Sequence, residues 1–231
     1  MTYVLVHGAW HGGWCWRRLV PLLRQAGHEV FAPTLTGLGE RAHLLNREID
    51  LDTHVQDVVA LLEMEDLHEV VLVGHSYGGM VITGVADRAP SRLRRLVYLD
   101  AFVPENGKAL VDYLPPERAA HQQELARESG TLDPMPLAAL GVSRPEDIAW
   151  VAPRLAKQPY KTMAQPLALR NDAARSAIAK TFVNCHSATG TFNQFIAKVR
   201  HDPAWHYHEL KAGHDAMVTD PQGVADILLD S

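Results

Sequence analysis

The sequence predicts an α/β fold: a mostly parallel sheet with helices on both faces and a helical cap inserted between later strands. Three observations carry this. Short apolar runs alternate with longer stretches of helical periodicity, the pattern of strands joined by crossover helices. The run Val70-Val71-Leu72-Val73 is apolar at every position, as a strand covered on both faces must be. From Pro104 to Lys180 the alternation stops, and prolines with short helical patches replace it.

Taken in order, Tyr3–Val6 reads as the first strand and enters the glycine-rich stretch His7–Gly13. Trp16–Gln25 reads as a helix stopped by Gly27, and Glu29–Ala32 as the next strand. Thr53–Met64 is an amphipathic helix with Thr53 as its expected N-cap. Val70–Val73 is a strand that turns at Gly74, and Met80, Val81, Ile82, Val85 and Ala86 mark the helix after it. Leu96–Leu99 is a strand ending at Asp100. Helical patches follow at Glu117–Glu128, Arg144–Trp150 and Pro166–Arg170, in a segment too rich in Leu, Ala, Trp and Met for a disordered linker. Thr181–Asn184 and His206–Leu210 are the last strands, and the helix Pro221–Leu229 closes the chain. The expected organisation is a core of residues 1–103 and 180–231. Residues 104–179 form a cap over the sheet's carboxyl edge that shapes a pocket and excludes water.

Composition narrows the function classes. With 47% hydrophobic and 21% charged residues, the 231-residue chain has the balance of a soluble globular domain. A formal charge of −5 gives no electrostatic footprint for nucleic acid or an anionic membrane. No apolar run approaches membrane-spanning length. The amino terminus lacks a basic region and a cleavage site, so a cytoplasmic enzyme is the expectation. Cys15 and Cys185 stand far apart without metal-type spacing, so neither a disulfide framework nor a metal site is expected.

The chemistry concentrates in Gly74-His75-Ser76-Tyr77-Gly78. A serine at the tip of a tight strand-to-helix turn holds strained backbone angles and projects its hydroxyl into a cleft, so Ser76 is the expected nucleophile. Acyl transfer then needs a base, an acid to orient it and donors for the oxyanion. The Gly-x-Ser-x-Gly turn between strand and helix resembles that of α/β-hydrolases, and this resemblance implies a base late in the chain, after the last strand. His214, in Lys211-Ala212-Gly213-His214-Asp215-Ala216-Met217, has that place, whereas His206 and His208 alternate within a strand pattern. The N–H groups of Tyr77 and Ala9 are the candidate oxyanion donors, with Gly8 allowing close approach. His7 and His11 are expected to hold the first loop in shape by hydrogen bonds. The pocket wall is expected to include Trp10, Tyr77, Phe102 and Met217, with Tyr113, Leu114, Trp150, Tyr160 and Met163 from the cap. Such a wall suits a small-molecule ester with an apolar or aromatic group.

The stretch His7-Gly8-Ala9-Trp10-His11-Gly12-Gly13-Trp14-Cys15-Trp16, with Gly74–Gly79 and Gly213–Met217, resembles the α/β-hydrolase branch of plant methylesterases and hydroxynitrile lyases. Ala32–Arg41 and Val97–Pro104 are more similar to its bacterial carboxylesterases, pyrethroid hydrolases among them. The resemblance covers both ends of the chain and is weak across the cap. It implies the α/β-hydrolase fold, a serine carboxylesterase working through an acyl-enzyme without metal or organic cofactor, and aromatic or pyrethroid-type esters as substrates. In that branch the acid follows the penultimate strand, but here Asn184-Cys185-His186-Ser187 offers no carboxylate. Asp100, after the strand that follows the nucleophile's, is the expected acid, with Asp202 the alternative. Lyases of the branch carry a threonine and a lysine where this chain has Gly8 and Asp215, and a carboxylate there is expected to repel cyanide. That favours the esterase over a lyase, and an intact Ser76 and His214 argue against a non-catalytic receptor. The apolar surface of the cap could support a homodimer.

Overall fold

The computed structural model describes residues 1–186 and 190–230, so Ser187 lies outside the described residues. The elements are β1 (Thr2–Val6), α1 (Val20–Gln25), β2 (Glu29–Phe31), α2 (Leu51–Met64), β3 (Val70–His75), α3 (Gly78–Arg88) and β4 (Leu93–Leu99). Then come α4 (Pro116–Ala126), β5 (Thr131–Leu132), α5 (Pro145–Val151), β6 (Gln158–Pro159), α6 (Lys161–Ala164) and α7 (Asp172–Ser176). The chain ends with β7 (Ala179–Asn184), α8 (Asn193–Val199), β8 (Trp205–Glu209), α9 (Ala216–Thr219) and α10 (Pro221–Asp230).

Six strands form one sheet in the order β2-β1-β3-β4-β7-β8. Every pairing in it is parallel. Side chains alternate across it with period two and sort into two cores. On one face Val4, Val6, Leu72, Leu96 and Phe182 pack with Val55, Val58 and Leu62 of α2 and Met80, Val81 and Val85 of α3. On the other, Tyr3, Leu5, Val71, Val73, Val97 and Val183 pack with Leu23 of α1 and Val224 and Leu228 of α10. Tyr3 donates its hydroxyl to the Leu228 carbonyl at 2.8 Å, which ties the last helix to the first strand. The outermost strand, β8, has exposed His206 and Glu209, so charge and polarity blunt that edge.

Local expectations shift in three places. The helix expected over Trp16–Gln25 divides into a 3-10 turn at Gly13–Trp16 and α1 beginning at Val20, with Pro21 in its first turn where a missing N–H costs nothing. The cap of α2 is Asp50, whose carboxylate accepts the Thr53 N–H at 2.9 Å; Thr53 instead closes a reciprocal capping box. Pro166–Arg170 is not helical. Its backbone runs alongside residues 107 and 108, with bonds from Gly107 N–H to Leu167 O and from Leu167 N–H to Lys108 O. The insertion also holds one strand pair unseen in the sequence, β5 with β6, antiparallel and two residues long.

Two buried carboxylates pin the inserted segment to the sheet-and-helix body. Asp87 of α3 accepts the Arg170 and Asn171 N–H groups and the Arg175 guanidinium. Asp147 at the start of α5 is fully buried between Arg18, at 2.6 Å, and Arg144, at 2.7 Å. Burial works against its charge, but the two guanidiniums hold its carboxyl below the usual range.

Candidate active site

The six parallel strands deliver their carboxyl ends to one edge of the sheet, and the candidate residues follow several of them. After β3 the chain reverses at Ser76, whose φ of +54° is a left-handed angle that a non-glycine residue holds at a cost of about 1–3 kcal/mol. The turn closes because the residues around it are stripped of side chains. A Cβ on Gly74 would come within 2.7 Å of the Gly78 carbonyl, and one on Gly78 within 2.7 Å of the Val6 carbonyl. Backbone bonds from Ser76 N–H to Leu99 O and from Phe102 N–H to Ser76 O lock the turn between β3 and β4. Tyr77 is fully buried, and its hydroxyl donates to His54 Nδ1 at 2.9 Å while His54 Nε2–H donates to the Thr36 carbonyl.

His214 follows β8 and is 7% exposed. Its Nδ1 lies 2.6 Å from Asp100 Oδ2, and since a carboxylate only accepts, Nδ1 carries the proton and Nε2 is left as a base. Asp100 sits at the end of β4 with φ of +41°. Its second oxygen accepts the Cys185 N–H at 3.4 Å, so the end of β7, which lacks a carboxylate, helps hold the one from β4. Asp202, the alternative acid, is exposed, and its carboxylate accepts only the Ala204 N–H among the described residues.

Ser76, Tyr77, His214 and Ala9 line one cleft together with Trp10, Phe102, Leu110, Leu114, Met135 and Met163. Among the described residues no turn or loop acceptor takes the N–H of Ala9 or Tyr77. Of the wall expected from sequence, Trp10, Tyr77, Phe102, Leu114 and Met163 are present and four residues are elsewhere. Tyr113 stands behind Phe102 and Phe195 and takes the Glu105 N–H on its hydroxyl. Trp150 packs edge-on against Trp14 under the Arg18 guanidinium, Met217 is buried in the opposite core, and Tyr160 packs outside the cleft. In their place the cleft has Arg118, Gln122, Ala139, Thr191 and Phe192, for which the sequence held no signal beyond helical spacing on α4. Phe192 stacks on the His214 ring with centroids 5.2 Å apart.

Beneath the cleft lies a chain of buried imidazoles. His7 takes the Leu35 N–H on Nε2 and donates Nδ1–H to the Gly8 carbonyl; burial lowers its pKa to about 3. His54 falls to about 4 for the same reason. His75 donates Nε2–H to the His214 carbonyl at 3.0 Å, and burial first, then neighbouring His214, push its pKa well below the usual value. His11 differs: Nδ1 faces the Ala9 carbonyl at 2.7 Å and Nε2 faces Asp215 Oδ2 at 2.9 Å. Both neighbours are acceptors, so both nitrogens are protonated. Burial opposes that charge, but the Asp215 carboxylate and the two bonds raise the His11 pKa. Asp215 is held below its ordinary value, burial being outweighed by the charge and bond of His11. The two form an ion pair with both side chains at 1% exposure or less.

That pair corrects one expectation. Asp215 does not face the cleft beside the leaving group; it turns inward to His11, so it cannot repel an anion there by direct contact. Gly8 also acquires a steric reason, since a Cβ would meet His75 Nδ1 at 2.8 Å and Ser76 Cβ at 3.0 Å. His75, His214 and Asp215 bring ligand-type atoms within 4.8 Å of one another; His75 Nε2 and His214 Nδ1 are engaged by the His214 carbonyl and Asp100, which leaves His75 Nδ1 and His214 Nε2 as the open nitrogens.

A family model described as "Alpha/beta hydrolase family" matches residues 3–227. The chain belongs to this family. Over 98% of its length it is 42% identical to the carbendazim hydrolyzing esterase of Nocardioides sp. (strain SG-4G), of which it covers 98%. An alpha-hydroxynitrile lyase of Arabidopsis thaliana is 38% identical over 104 residues, 45% of this chain and 40% of that one. Among solved structures, an extracellular alpha/beta-hydrolase from a Paenibacillus species superposes with a TM-score of 0.86 at 24% identity, covering 100% of this chain and 98% of its own. In alpha/beta hydrolases the nucleophile comes first in the chain, then the acid, then the base, and Ser76, Asp100 and His214 stand in that order. Among the described residues no helix is long and apolar enough to cross a membrane.

Proposed function

We propose that this alpha/beta hydrolase is a serine carboxylesterase acting on small apolar or aromatic carboxylesters. The observation that carries the reading is the convergence in one cleft of Ser76, at a left-handed turn, and of a histidine whose Nδ1–H is fixed by Asp100 at 2.6 Å. Full-length similarity to an esterase supports the reaction class.

His214 Nε2 takes the Ser76 proton as Oγ attacks the ester carbonyl. The tetrahedral oxyanion accepts hydrogen bonds from the N–H groups of Ala9 and Tyr77, which are held rigid before the reaction starts. His214 then gives its proton to the departing alcohol, and water attacks the acyl-enzyme by the same route reversed. The Asp100 carboxylate stabilises the imidazolium formed in each half-reaction. Residues 104–179 act as the cap, because Leu110, Leu114, Arg118, Gln122, Met135, Ala139 and Met163 of that segment close the cleft over Ser76. The chemistry needs no cofactor.

The test is release of p-nitrophenol from p-nitrophenyl esters of increasing acyl length, with a pyrethroid-type ester in the same panel. Wild type turns over and Ser76→Ala does not; retention of wild-type turnover by Ser76→Ala refutes the mechanism. Turnover of the pyrethroid-type ester decides whether the cleft takes so extended a substrate.

A further inference from the structure

The cleft is apolar except for one edge. Arg118 and Gln122 lie one turn apart on α4, so they share a face of the helix. Both line the cleft. Gln122 Oε1 is buried and has no hydrogen-bond partner. Buried side-chain amide oxygens are satisfied in the large majority of cases, so an orphan that borders a cleft is a place where a ligand group completes the bonding. Arg118 is equally unspent. Among the described residues no carboxylate lies within ion-pair distance of its guanidinium, which meets only the thioether of Met135 at 3.5 Å. A thioether is a weak acceptor, and a guanidinium offers five donors.

This edge sits where the cleft continues outward. Trp10, Arg118, Gln122 and Met135 line both the cleft that holds Ser76 and a second groove bordered by His121, Leu125 and Thr131. A substrate with its ester at Ser76 and a tail too long for the cleft passes between Arg118 and Gln122 on one side and Trp10 and Met135 on the other. The polar edge therefore meets the part of the substrate that does not react.

The donor and acceptor pattern specifies that part. Arg118 alone would suit a carboxylate, but a carboxylate at this edge would face the Gln122 oxygen, acceptor against acceptor. A carboxamide instead pairs with an N–H set beside an sp² acceptor, the two-point match that glutamine makes with an adenine edge. The guanidinium adds further donors to the ligand's acceptor. We propose that Arg118 and Gln122 form a specificity edge for a neutral planar group carrying an N–H beside an sp² acceptor: an amide, urea, carbamate or amino-substituted heteroaromatic ring. The assignment rests on the esterase reading for which bond is cleaved, but not for how the ligand is held.

Affinity separates the two. Ser76→Ala protein is titrated calorimetrically with a matched pair of aryl esters that differ only in having N–H or CH₂ beside the carbonyl of the tail. The N–H ligand binds about tenfold more tightly, the difference expected from one completed hydrogen bond at a site otherwise left unpaired. In Ser76→Ala/Gln122→Met the preference falls to near unity, and Ser76→Ala/Arg118→Met reduces it, with circular dichroism confirming the fold of each. An unchanged preference in the Gln122→Met protein, or none in the Ser76→Ala parent, overturns the proposal. A wild type inert toward every p-nitrophenyl ester overturns the esterase reading instead and leaves the affinity ratios to decide this one.

Discussion

Asp100 and His214 stand 114 residues apart in the chain and 2.6 Å apart in the fold, because β4 and the turn after β8 both end at the same edge of the sheet. The bond fixes which imidazole nitrogen is a base. An amide at position 100 keeps the shape but can present its N–H₂ to Nδ1, which turns the ring to the wrong tautomer. Asp100→Asn is therefore expected to lower kcat by about 10³–10⁴ with little change in KM. Asp202→Asn, at an exposed position outside the cleft, keeps full turnover. Steady-state kinetics on the two variants check the pair, and an active Asp100→Asn enzyme would remove Asp100 from the mechanism.

The same geometry shows what a linear reading can and cannot reach. The strand ends, the turn at Ser76 and the histidine after the last strand are local patterns, and the apolar runs at Val70–Val73 and Leu96–Leu99 sort them into one parallel sheet. The contact of Asp100 with His214 follows from the place of Asp100 after a strand. The wall of the cleft does not, because which face of α4 turns inward depends on how the insertion packs; Arg118 and Gln122 read as surface polar residues until the helix is docked. Trp150 and Met217 are aromatic or bulky for reasons of core packing, against Trp14 and within the α9–α10 core, and residue type alone cannot separate that from lining a pocket. The His11–Asp215 pair is invisible for another reason. Two hundred and four positions divide its members.

That ion pair should be costly to break and cheaper to remove whole. Asp215→Asn leaves His11 facing a neutral amide and a carbonyl at a buried site, at an expected loss of about 3–5 kcal/mol. Replacing both residues, as in His11→Gln/Asp215→Asn, removes the uncompensated charge and should recover part of that loss. Urea unfolding of the two single variants and the double variant closes the cycle. A coupling energy near zero would show that His11 is not an imidazolium.

Acid should destabilise the fold below about pH 6.5, through the other buried histidines. His7, lowered to about 3, His54, lowered to about 4, and His75, lowered well below its usual value, stay neutral in the folded state near pH 5. In the unfolded chain, with pKa near 6.5, all three take up protons there, so unfolding binds protons and stability falls as pH falls toward the folded values. His11 acts the other way: its raised pKa contributes stability that is fully present below about 6.5 and is lost as pH rises through the folded value. Near pH 5 it is protonated in both states and adds nothing to the slope. Three protons correspond to about 4 kcal/mol per pH unit near pH 5. Unfolding free energies measured between pH 5 and 7 test this, and His54→Gln should reduce the slope by about one third. A flat profile would mean that these rings are charged in the native state.

The loop after β1, which the proposed mechanism uses for the oxyanion, is held by the segment between β4 and β7, and this gives Gln158 a measurable role. Trp10 adopts φ of +66°, a strained angle for a bulky residue next to the donor Ala9. Its backbone is clamped on both sides by the inserted segment: Trp10 N–H donates to Gln158 Oε1 at 2.9 Å, and its carbonyl accepts the Ala156 N–H at 2.8 Å. Gln158 is itself fully buried and fixed by a bond from Nε2 to Thr162 Oγ1 at 2.7 Å. Gln158→Met fills the same volume but strands the Trp10 N–H, at about 1–3 kcal/mol of stability. The loop is then free to relax its angle and carry the Ala9 N–H away from the oxyanion. Since the oxyanion forms only after attack, the loss falls on kcat, by roughly tenfold to a hundredfold, and leaves KM nearly unchanged. Equal losses in kcat and thermal stability alone would fit a general loosening, so the deciding readout is the affinity of a trifluoromethyl ketone, which mimics the tetrahedral state. Gln158→Met weakens it in proportion to kcat if the cap positions the loop, and leaves it unchanged if it does not.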